Sequence, residues 1–276
     1  MKDPASVAGV ADAHERAQAA HGLIDDYQAA IGELSRIRRE ALEHLLAGGM
    51  TQSQIAELLE VSRSRVSQLL SAGTRPERAF LGTGRLTVAI GGKQEAGRHD
   101  PGDVLSAESF AAYNALSELA RSVGLDASYE VVPPPGFVHL NRPNLIVLTS
   151  PRLLPFVGQV MEADPHLRFA SDDRGWYLMD GETEYRSPRD DGHSADYGYV
   201  GRLPRPDGKG SFLYLAGTHA QGTLGAAQFV ADNLAQLYKE LKNRRFSTII
   251  RCEYDASNPR KVLACERVTP IYRHES

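Results

Sequence analysis

The sequence predicts an α/β protein in two parts: an all-α N-terminal domain followed by a larger domain of packed strands and helices. Residues 11–47 contain no proline and are rich in Ala, Glu, Arg and Leu, which favours helix. Residues 50–72 hold two short segments, each with one apolar face. From Arg85 onward, strand-like and helix-like segments alternate, the pattern of a sheet layered with helices. A chain of 276 residues is long enough for a small domain plus a larger one. The expected boundaries are a loose tail over 1–10, a helical domain over 11–74, a linker over 75–84 and an α/β domain over 85–276.

Composition narrows the function classes. At 42% hydrophobic and 24% charged, the chain reads as globular and soluble. No apolar run approaches the roughly 20 residues of a membrane span, and no charged-then-apolar leader opens the sequence, so a cytoplasmic protein without membrane contact is expected. The formal net charge of -4 supplies no global positive field, so any contact with nucleic acid has to be local. Cys252 and Cys265 are too few for a metal cluster or a disulfide framework, and no cofactor or metal is implied. They flank a turn-like stretch, 255–261, between strand-like runs, where they face each other as reduced packing thiols or, in a sharper reading, as a redox switch.

The proline-free stretch reads as one helix, or as two broken near Gly22 or Gly32. Along it Ile24, Tyr27, Ile31, Leu34, Ala41 and Leu45 fall on alternating three- and four-residue steps, with Arg38 interrupting. That spacing makes a seam, either packed on its own domain or paired with a second copy. Pairing suits a DNA-binding protein, because two-fold proteins read two half-sites.

Gly48-Gly49 ends this helix and Thr51 opens the next as an N-cap. Ile55, Ala56 and Leu59 form one apolar face, Val66, Leu69 and Leu70 a second, with Val61 in the turn and Ser62 capping the second helix. Two short helices crossing steeply need a small residue at the crossing, a buried residue in the turn and an aliphatic plug in the second helix. Ala56, Val61 and Val66 fill those places. Through its T-x-x-x-[IL]-A opening and V-S-x-x-x-V turn, this stretch resembles the helix-turn-helix of the sigma-factor region-four and phage-repressor families, over about 25 residues. It departs from them at Glu60, where those families commonly place glycine and φ is often positive. The second helix exposes Arg63, Ser64, Arg65, Ser67 and Gln68, donors for bases and phosphates with no acid among them. The resemblance implies double-stranded DNA as partner: Ser62 to Arg65 and Gln68 in the major groove, Gln52 and Arg75 near phosphates. Thr51 and Ser67 complete the DNA-binding set. A helical hairpin that binds protein is the alternative.

In the second domain Leu86–Ile90 is a short apolar strand ending in Gly91-Gly92, Ser106 caps a helix from Ala107 to about Val123, and Ala127–Val132 is strand-like again. Asn144–Thr149 is a buried strand stopping at Ser150-Pro151-Arg152, and Leu153–Ala163 is helix-like. Short extended pieces between Leu167 and Tyr199 read as a β-hairpin excursion. Ser211–Ala216 is a strand, Ala226–Lys242 a helix with a basic end, and Phe246–Glu253 with Lys261–Arg273 a terminal antiparallel pair. The arrangement points to an open, Rossmann-like layer with a parallel sheet.

Between strand and helix lies Gly217-Thr-His-Ala-Gln-Gly222-Thr-Leu-Gly225. Such a loop gathers bare backbone N–H groups and a helix N-terminus, which attract phosphate or carboxylate; alternatively, its glycines serve a tight turn and close helix packing. It lacks the lysine of a Walker loop and the usual dinucleotide spacing. Strand ends in an open sheet gather beside one crevice, so the expected ligand set is Gly91, Gly92, Ser150, Pro151, Arg152, Gly217, Thr218, His219, Gln221, Gly222 and Thr223, with Arg152 as a phosphate clamp. The passage A-G-x-H-x-x-G-T-x-G-A-A resembles an uncharacterised Rossmann-like module found behind helix-turn-helix domains in bacterial regulators. The combination implies a transcription regulator sensing a small anionic ligand or nucleotide, working as a homodimer. The alternative is a nucleotide-processing enzyme of glycosidase or transferase type, with Glu95, Glu108, Asp196 and His219 as acid or base candidates. A third reading makes the second domain an assembly platform for protein partners.

Overall fold

The computed structural model describes residues 4–71, 76–97, 99–100 and 102–274, and the chain divides into two compact units, 1–74 and 75–276. The first unit is helical. Within the expected tail, Pro4–Ala8 forms a helix, α1, with Val7 buried. Helix α2 then runs without a break from Ala13 to Ala47, past both Gly22 and Gly32, with Asp12 accepting the Glu15 N–H at its start. At 1.5 Å per residue it is about 52 Å long.

Helix α3 spans Gln52–Leu58 and α4 spans Arg63–Ser71. Thr51 and Gln54 form a reciprocal capping box at the start of α3, and Ser62 Oγ accepts the Arg65 N–H at 3.0 Å at the start of α4. A small core of Leu42, Ile55, Ala56, Val66 and Leu69 joins α2, α3 and α4, with Val61 and Leu70 packed against it. Two expectations need correction. Leu59 is 39% exposed, because it caps α3 where the chain turns away. The seam on α2 packs against the core of its unit only at Leu45: Ile24, Ile31 and Leu34 are 52%, 61% and 64% exposed, and Ile37 beside them is 48% exposed. Only the end of the helix, through Leu42, Leu45 and Leu46, reaches the core.

The second unit begins inside the stretch expected as a linker. Flanking Pro76 and Gly82 read as breakers, yet Phe80 and Leu81 are apolar, and burying them fixes a short helix, α5, at Arg78–Leu81. Phe80 lies 5.8 Å from the Phe246 ring, and the Arg202 guanidinium sits over it while donating to its carbonyl.

Strand β1 is Leu86–Gly91, followed by a small pair, β2 (Lys93–Gln94) and β3 (Asp103–Val104), then α6 (Ala107–Ser122), β4 (Ala127–Val132), β5 (Leu145–Leu148) and α7 (Pro155–Met161). Three antiparallel strands, β6 (Leu167–Asp172), β7 (Gly175–Asp180) and β8 (Thr183–Arg186), form a separate sheet where a hairpin was expected. Strands β9 (Ala195–Pro204) and β10 (Ser211–Gly217), helix α8 (Ala220–Leu241), and strands β11 (Phe246–Asp255), β12 (Asn258–Arg267) and β13 (Tyr272–Arg273) complete the unit.

The main sheet has the order β12-β11-β9-β10-β5-β1-β4, with β13 paired to β11. It is mixed rather than parallel throughout. Strand β1 runs parallel to β4 and β5, Val88 facing Tyr129 on one side and Ile146 on the other, and β10 is parallel to β5. Strand β9 is antiparallel to both β10 and β11; the short loop at 205–210 returns the chain directly from β9 to β10, and the turn at 256–257 does the same from β11 to β12, where a crossover would be needed for parallel pairing. The start of β9 falls inside the expected excursion; its Asp196 and Gly198 dilute the apolar signal of what is a central strand. Alternate residues bury on opposite faces. Val88, Ile90, Ile146, Leu148, Leu213 and Leu215 pack with α6 and α8. Ala89, Val147, Tyr199 and Tyr214 pack with α7 and the three-stranded sheet.

Glu60 has φ 54, the left-handed conformation that glycine adopts without steric cost. Glu60→Gly is therefore expected to raise the stability of the helical unit by roughly 0.5–1 kcal/mol, and Glu60→Val to lower it. Thermal unfolding followed by helical circular dichroism checks both; a stabilised Val variant would contradict the strain argument.

Candidate nucleic-acid interface and ligand cleft

The surface of α4 follows from its capping and its plug. Val66 and Leu69 point into the core of the first unit, so the opposite side of the helix carries Arg63, Ser64, Arg65, Ser67 and Gln68, all exposed, with exposed Ser62 at its start. Arg65 Nη1 donates to Gln68 Oε1 at 3.1 Å, which holds two of these side chains together. Thr51 is exposed, but both its hydroxyl and its backbone N–H are engaged with Gln54 Oε1; Gln52 beside it is half-buried. Arg75 lies outside the described residues. The helix thus presents a contiguous face of donors with no carboxylate, a surface suited to base edges and phosphate oxygens.

In the second unit, the C-terminal ends of β1, β5 and β10 open on a small cleft of about 50 Å³. Gly91, Thr149, Ser150, Arg152, Gly217, Thr218, His219 and Thr223 contribute to it, as do Lys93, Ser106 and Ser109, which sequence reasoning had not assigned to a ligand. The geometry corrects the rest of the expected set. Gly92 is buried, its Cβ direction running into Val131, and its N–H donates to Val132 O. Pro151 is buried and lines a neighbouring groove instead. Gln221 is buried, with its amide 3.4 Å from Glu108 Oε1.

The largest correction concerns the stretch expected as a glycine loop: α8 begins at Ala220, not Ala226, so Gly222, Thr223 and Gly225 lie in its first turns. Its backbone donors already hold an anion, the carboxylate of Asp196 on β9. Asp196 Oδ2 accepts the N–H groups of Gly222 at 2.6 Å and His219 at 3.1 Å. Oδ1 accepts Ser187 Oγ–H at 2.6 Å, Thr218 Oγ–H and its neighbour Tyr197 N–H. Asp196 is completely buried, and a buried charge of this kind persists only when its lone pairs are filled. Thr223 Oγ1 accepts the Gly217 N–H at 2.8 Å and donates to His219 O at 3.5 Å, and Thr218 donates to Asp196, so neither threonine hydroxyl has a spare donor for an anionic ligand. The glycines serve close approach: a Cβ on Gly222 would meet Tyr197 O at 2.1 Å, and one on Gly225 would meet Cys252 Cβ at 2.4 Å. Helix α8 therefore lies against β9 and β11 at backbone distance, as the packing alternative for these glycines requires.

The proposed acid and base groups are dispersed. Asp196 is consumed by its donors. Glu95 follows β2 on an exposed loop, and Glu108 faces Gln221. His219 Nε2 lies 2.8 Å from Asp190 Oδ1, with both side chains partly exposed at the cleft. A second constellation, Ser247, His274 and Asp164, places Ser247 Oγ 2.9 Å and Asp164 Oδ1 3.3 Å from one and the same nitrogen, His274 Nε2. His274 Nδ1 is buried without a partner among the described residues. A nucleophilic relay uses both imidazole nitrogens, so this cluster fastens the C-terminal strand instead. Burial acts to raise the Asp164 pKa, but contacts from His274, the His166 and Leu167 N–H groups and Ser247 hold it below the usual value. Cys252 and Cys265 face each other across β11 and β12 as free thiols. Burial pushes both up, Cys265 to about 12, which suits packing rather than thiolate chemistry. Among the described residues no His, Cys, Asp and Glu group is set to hold a metal, and no helix is long and apolar enough to cross a membrane.

Comparison with known proteins bears on the first unit. Residues 24–74 match the family described as sigma-70, region 4, a helix-turn-helix domain that includes the end of α2, α3 and α4. No curated protein and no solved structure matches the chain. The first unit is thus a helix-turn-helix of the kind used in DNA-binding regulation, and the second is a mixed α/β unit.

Asp196→Ala is expected to destabilise the second unit by about 3 kcal/mol or more, since it strands two hydroxyls and several backbone N–H groups in the interior. Urea unfolding followed through the tryptophan signal measures this. A loss under about 1 kcal/mol would show that these donors find water or other acceptors and that Asp196 is no keystone.

Proposed function

We propose that this chain is a DNA-binding transcription regulator that works as a homodimer and whose α/β unit senses a small anionic ligand, possible ligands including a nucleotide. The observation that supports DNA binding is the exposed, acid-free face of α4, built on a helix-turn-helix. In this reading Arg63, Ser64, Arg65 and Gln68 read base edges in the major groove. Ser62 points into the same groove at the start of the helix, Thr51 and Ser67 complete the contact set, and Gln52 and Arg75 lie near phosphates. The exposed aliphatic stripe on α2 supports pairing of two copies. It leaves large apolar side chains in water, and a second copy of the same stripe removes them from it.

For the ligand, support comes from Lys93 and Arg152 beside Ser106, Ser109 and Ser150 at the strand ends. With Asp196 occupying the glycine loop, an incoming anion is held by these side chains rather than by the backbone of α8. Such a ligand acts on DNA binding only through its unequal affinity for two arrangements of the protein. One observation favours the enzyme alternative, the His219–Asp190 pair at the cleft, since a carboxylate-oriented imidazole is a general base. Turnover of a bound nucleotide that is lost in His219→Gln would move the reading there.

Footprinting of the purified full-length chain on genomic DNA tests the principal claim. A discrete two-fold site is expected, and Arg63→Ala should weaken it by about 1–3 kcal/mol without changing thermal stability. Unchanged affinity would remove Arg63 from the recognition face, and absence of any site would remove the DNA reading. Ile31→Glu with Leu34→Glu is expected to convert a dimer into a monomer in sedimentation and to shorten the footprint to one half-site. A wild-type chain that sediments as a monomer would dispose of the pairing.

A further inference from the structure

The cleft shares Arg152 with a larger concavity in the same unit, a groove of about 730 Å³ between α7 and the β6–β7 strands. Its walls are unlike those of the cleft. Pro151, Pro155, Gly158 and Met161 form one side and Phe169 and Trp176 the other, with Arg152, Arg168 and two acids, Glu162 and Asp164, around them; the Asp164 carboxylate is buried and held by Tyr199, His274 and the His166 and Leu167 N–H groups.

The aromatic wall follows from strand register. Ser171 faces Trp176 and Phe169 faces Leu178 across the β6–β7 pair, so Leu167, Phe169, Leu178 and Trp176 lie on one face of the small sheet. Leu167 and Leu178 are completely buried in the core, whereas Phe169 and Trp176, toward the turn, stay partly exposed. Phe169 packs against the core beside Tyr199 and shows only part of its ring, so the apolar face continues beyond the core it covers through Trp176.

Charge adds a second, independent indication. Arg142, Arg186, Arg205 and Arg251 each hold a carboxylate. Arg152 and Arg168 have no such partner among the described residues, although Glu162 and the internally bonded Asp164 line the same groove. Gly158 adds a third. A Cβ there would make only ordinary contact with Pro151, at 3.5 Å, so neither backbone strain nor close packing demands glycine, and its bareness widens the groove. The space suits a small-molecule site, which is mostly apolar with a few convergent polar groups.

We infer that this groove binds a flat aromatic molecule carrying an anionic group, its ring against Trp176 and Phe169 and its anionic oxygens held by Arg152 and Arg168. The inference deepens the proposal that the neighbouring cleft takes an anion, because Arg152 serves both, and it names the chemical class: a nucleoside monophosphate or an aryl carboxylate or sulfonate rather than a bare oxyanion. Aromatic stacking and guanidinium pairing are the two contacts such a molecule offers.

Trp176 is the chain's single tryptophan, so intrinsic fluorescence of the full-length protein reports on this wall alone. The probes are AMP, GMP and 1-anilinonaphthalene-8-sulfonate, with adenosine and inorganic phosphate as controls. At least one anionic aromatic should change the Trp176 emission saturably. Adenosine should bind about tenfold more weakly than AMP where AMP binds, and Arg168→Gln should weaken the anionic aromatic by about the same factor, the size of one charge-assisted hydrogen bond. Gly158→Leu should abolish the change while leaving the far-ultraviolet circular dichroism intact. The inference falls if none of the three moves the emission at millimolar concentration, if AMP and adenosine bind equally, or if Arg168→Gln is neutral. Thermal stabilisation by phosphate with a silent Trp176 would retain the anion cleft and discard the groove. Arg168-dependent aromatic binding with no effect of phosphate would retain the groove and discard the cleft.

Discussion

The second unit is organised around one buried carboxylate. Asp196 sits on the strand that changes the sheet from parallel to antiparallel pairing, between β10 and β11. It accepts hydrogen bonds from the start of α8, the end of β10 and Ser187 just before the strand. A hydroxyl or amide at this position could satisfy one or two of those donors; a carboxylate with two acceptor oxygens satisfies all of them. The positive end of the α8 dipole favours the charge at the same point. The bare glycines at the end of β10 and the start of α8 let the helix come close enough for its N–H groups to reach the carboxylate, so Gly217, Gly222, Gly225 and Asp196, 26 residues before Gly222, belong to one device.

That device redirects the chemistry of the cleft. A helix N-terminus with open donors binds phosphate through the backbone and with little regard for side chains. Here those donors are committed internally, and what faces the solvent is a set of flexible cations and hydroxyls: Lys93, Arg152, Ser106, Ser109 and Ser150. Recognition by such a set depends on the shape and remaining surface of the ligand more than on its charge alone. This is why the adjoining aromatic groove matters to the proposed specificity, and why a single arginine common to both places couples them.

The two units differ in how much of them can be read from sequence, and the difference is physical. In the first, function and packing use residues at fixed local spacing. Ala56, Val61 and Val66 must lie where they do for two short helices to cross, and the caps Thr51 and Ser62 sit one residue before their helices. Even the unusual residue, Glu60, was visible as the place where positive φ was needed, and it takes that conformation. Leu59 was misplaced because an apolar residue in the last turn of a short helix can fall on either side of its cap. In the second unit the decisive contacts are long-range. The loop of glycines reads identically whether its N–H groups meet a ligand or a carboxylate from a strand over twenty residues away, and nothing local distinguishes the two. The single available signal was an aspartate inside an otherwise apolar strand, which has to find donors somewhere. Phe80 and Leu81 posed the converse problem: breakers on both sides concealed two apolar residues that the core of the second unit needed.

Helix α2 shows where local pattern stops short of an answer. Its seam was legible as spacing, but spacing cannot say which surface covers it. Ile24, Ile31 and Leu34 are more than half exposed among the described residues, while Leu45 of the same seam packs against the core of its unit. The ion pairs from Arg36 to Glu33 and Glu40 support the helix, but surface pairs of this kind contribute only tenths of a kcal/mol each. Burying an aliphatic side chain contributes about 1.5–3 kcal/mol, so four of them left in water outweigh those ion pairs. A helix about 52 Å long also exceeds the roughly 34 Å between successive half-sites on one face of DNA. The same element that needs covering is therefore long enough to set the spacing of two recognition helices, and in the proposed dimer one constraint accounts for both its apolar stripe and its length.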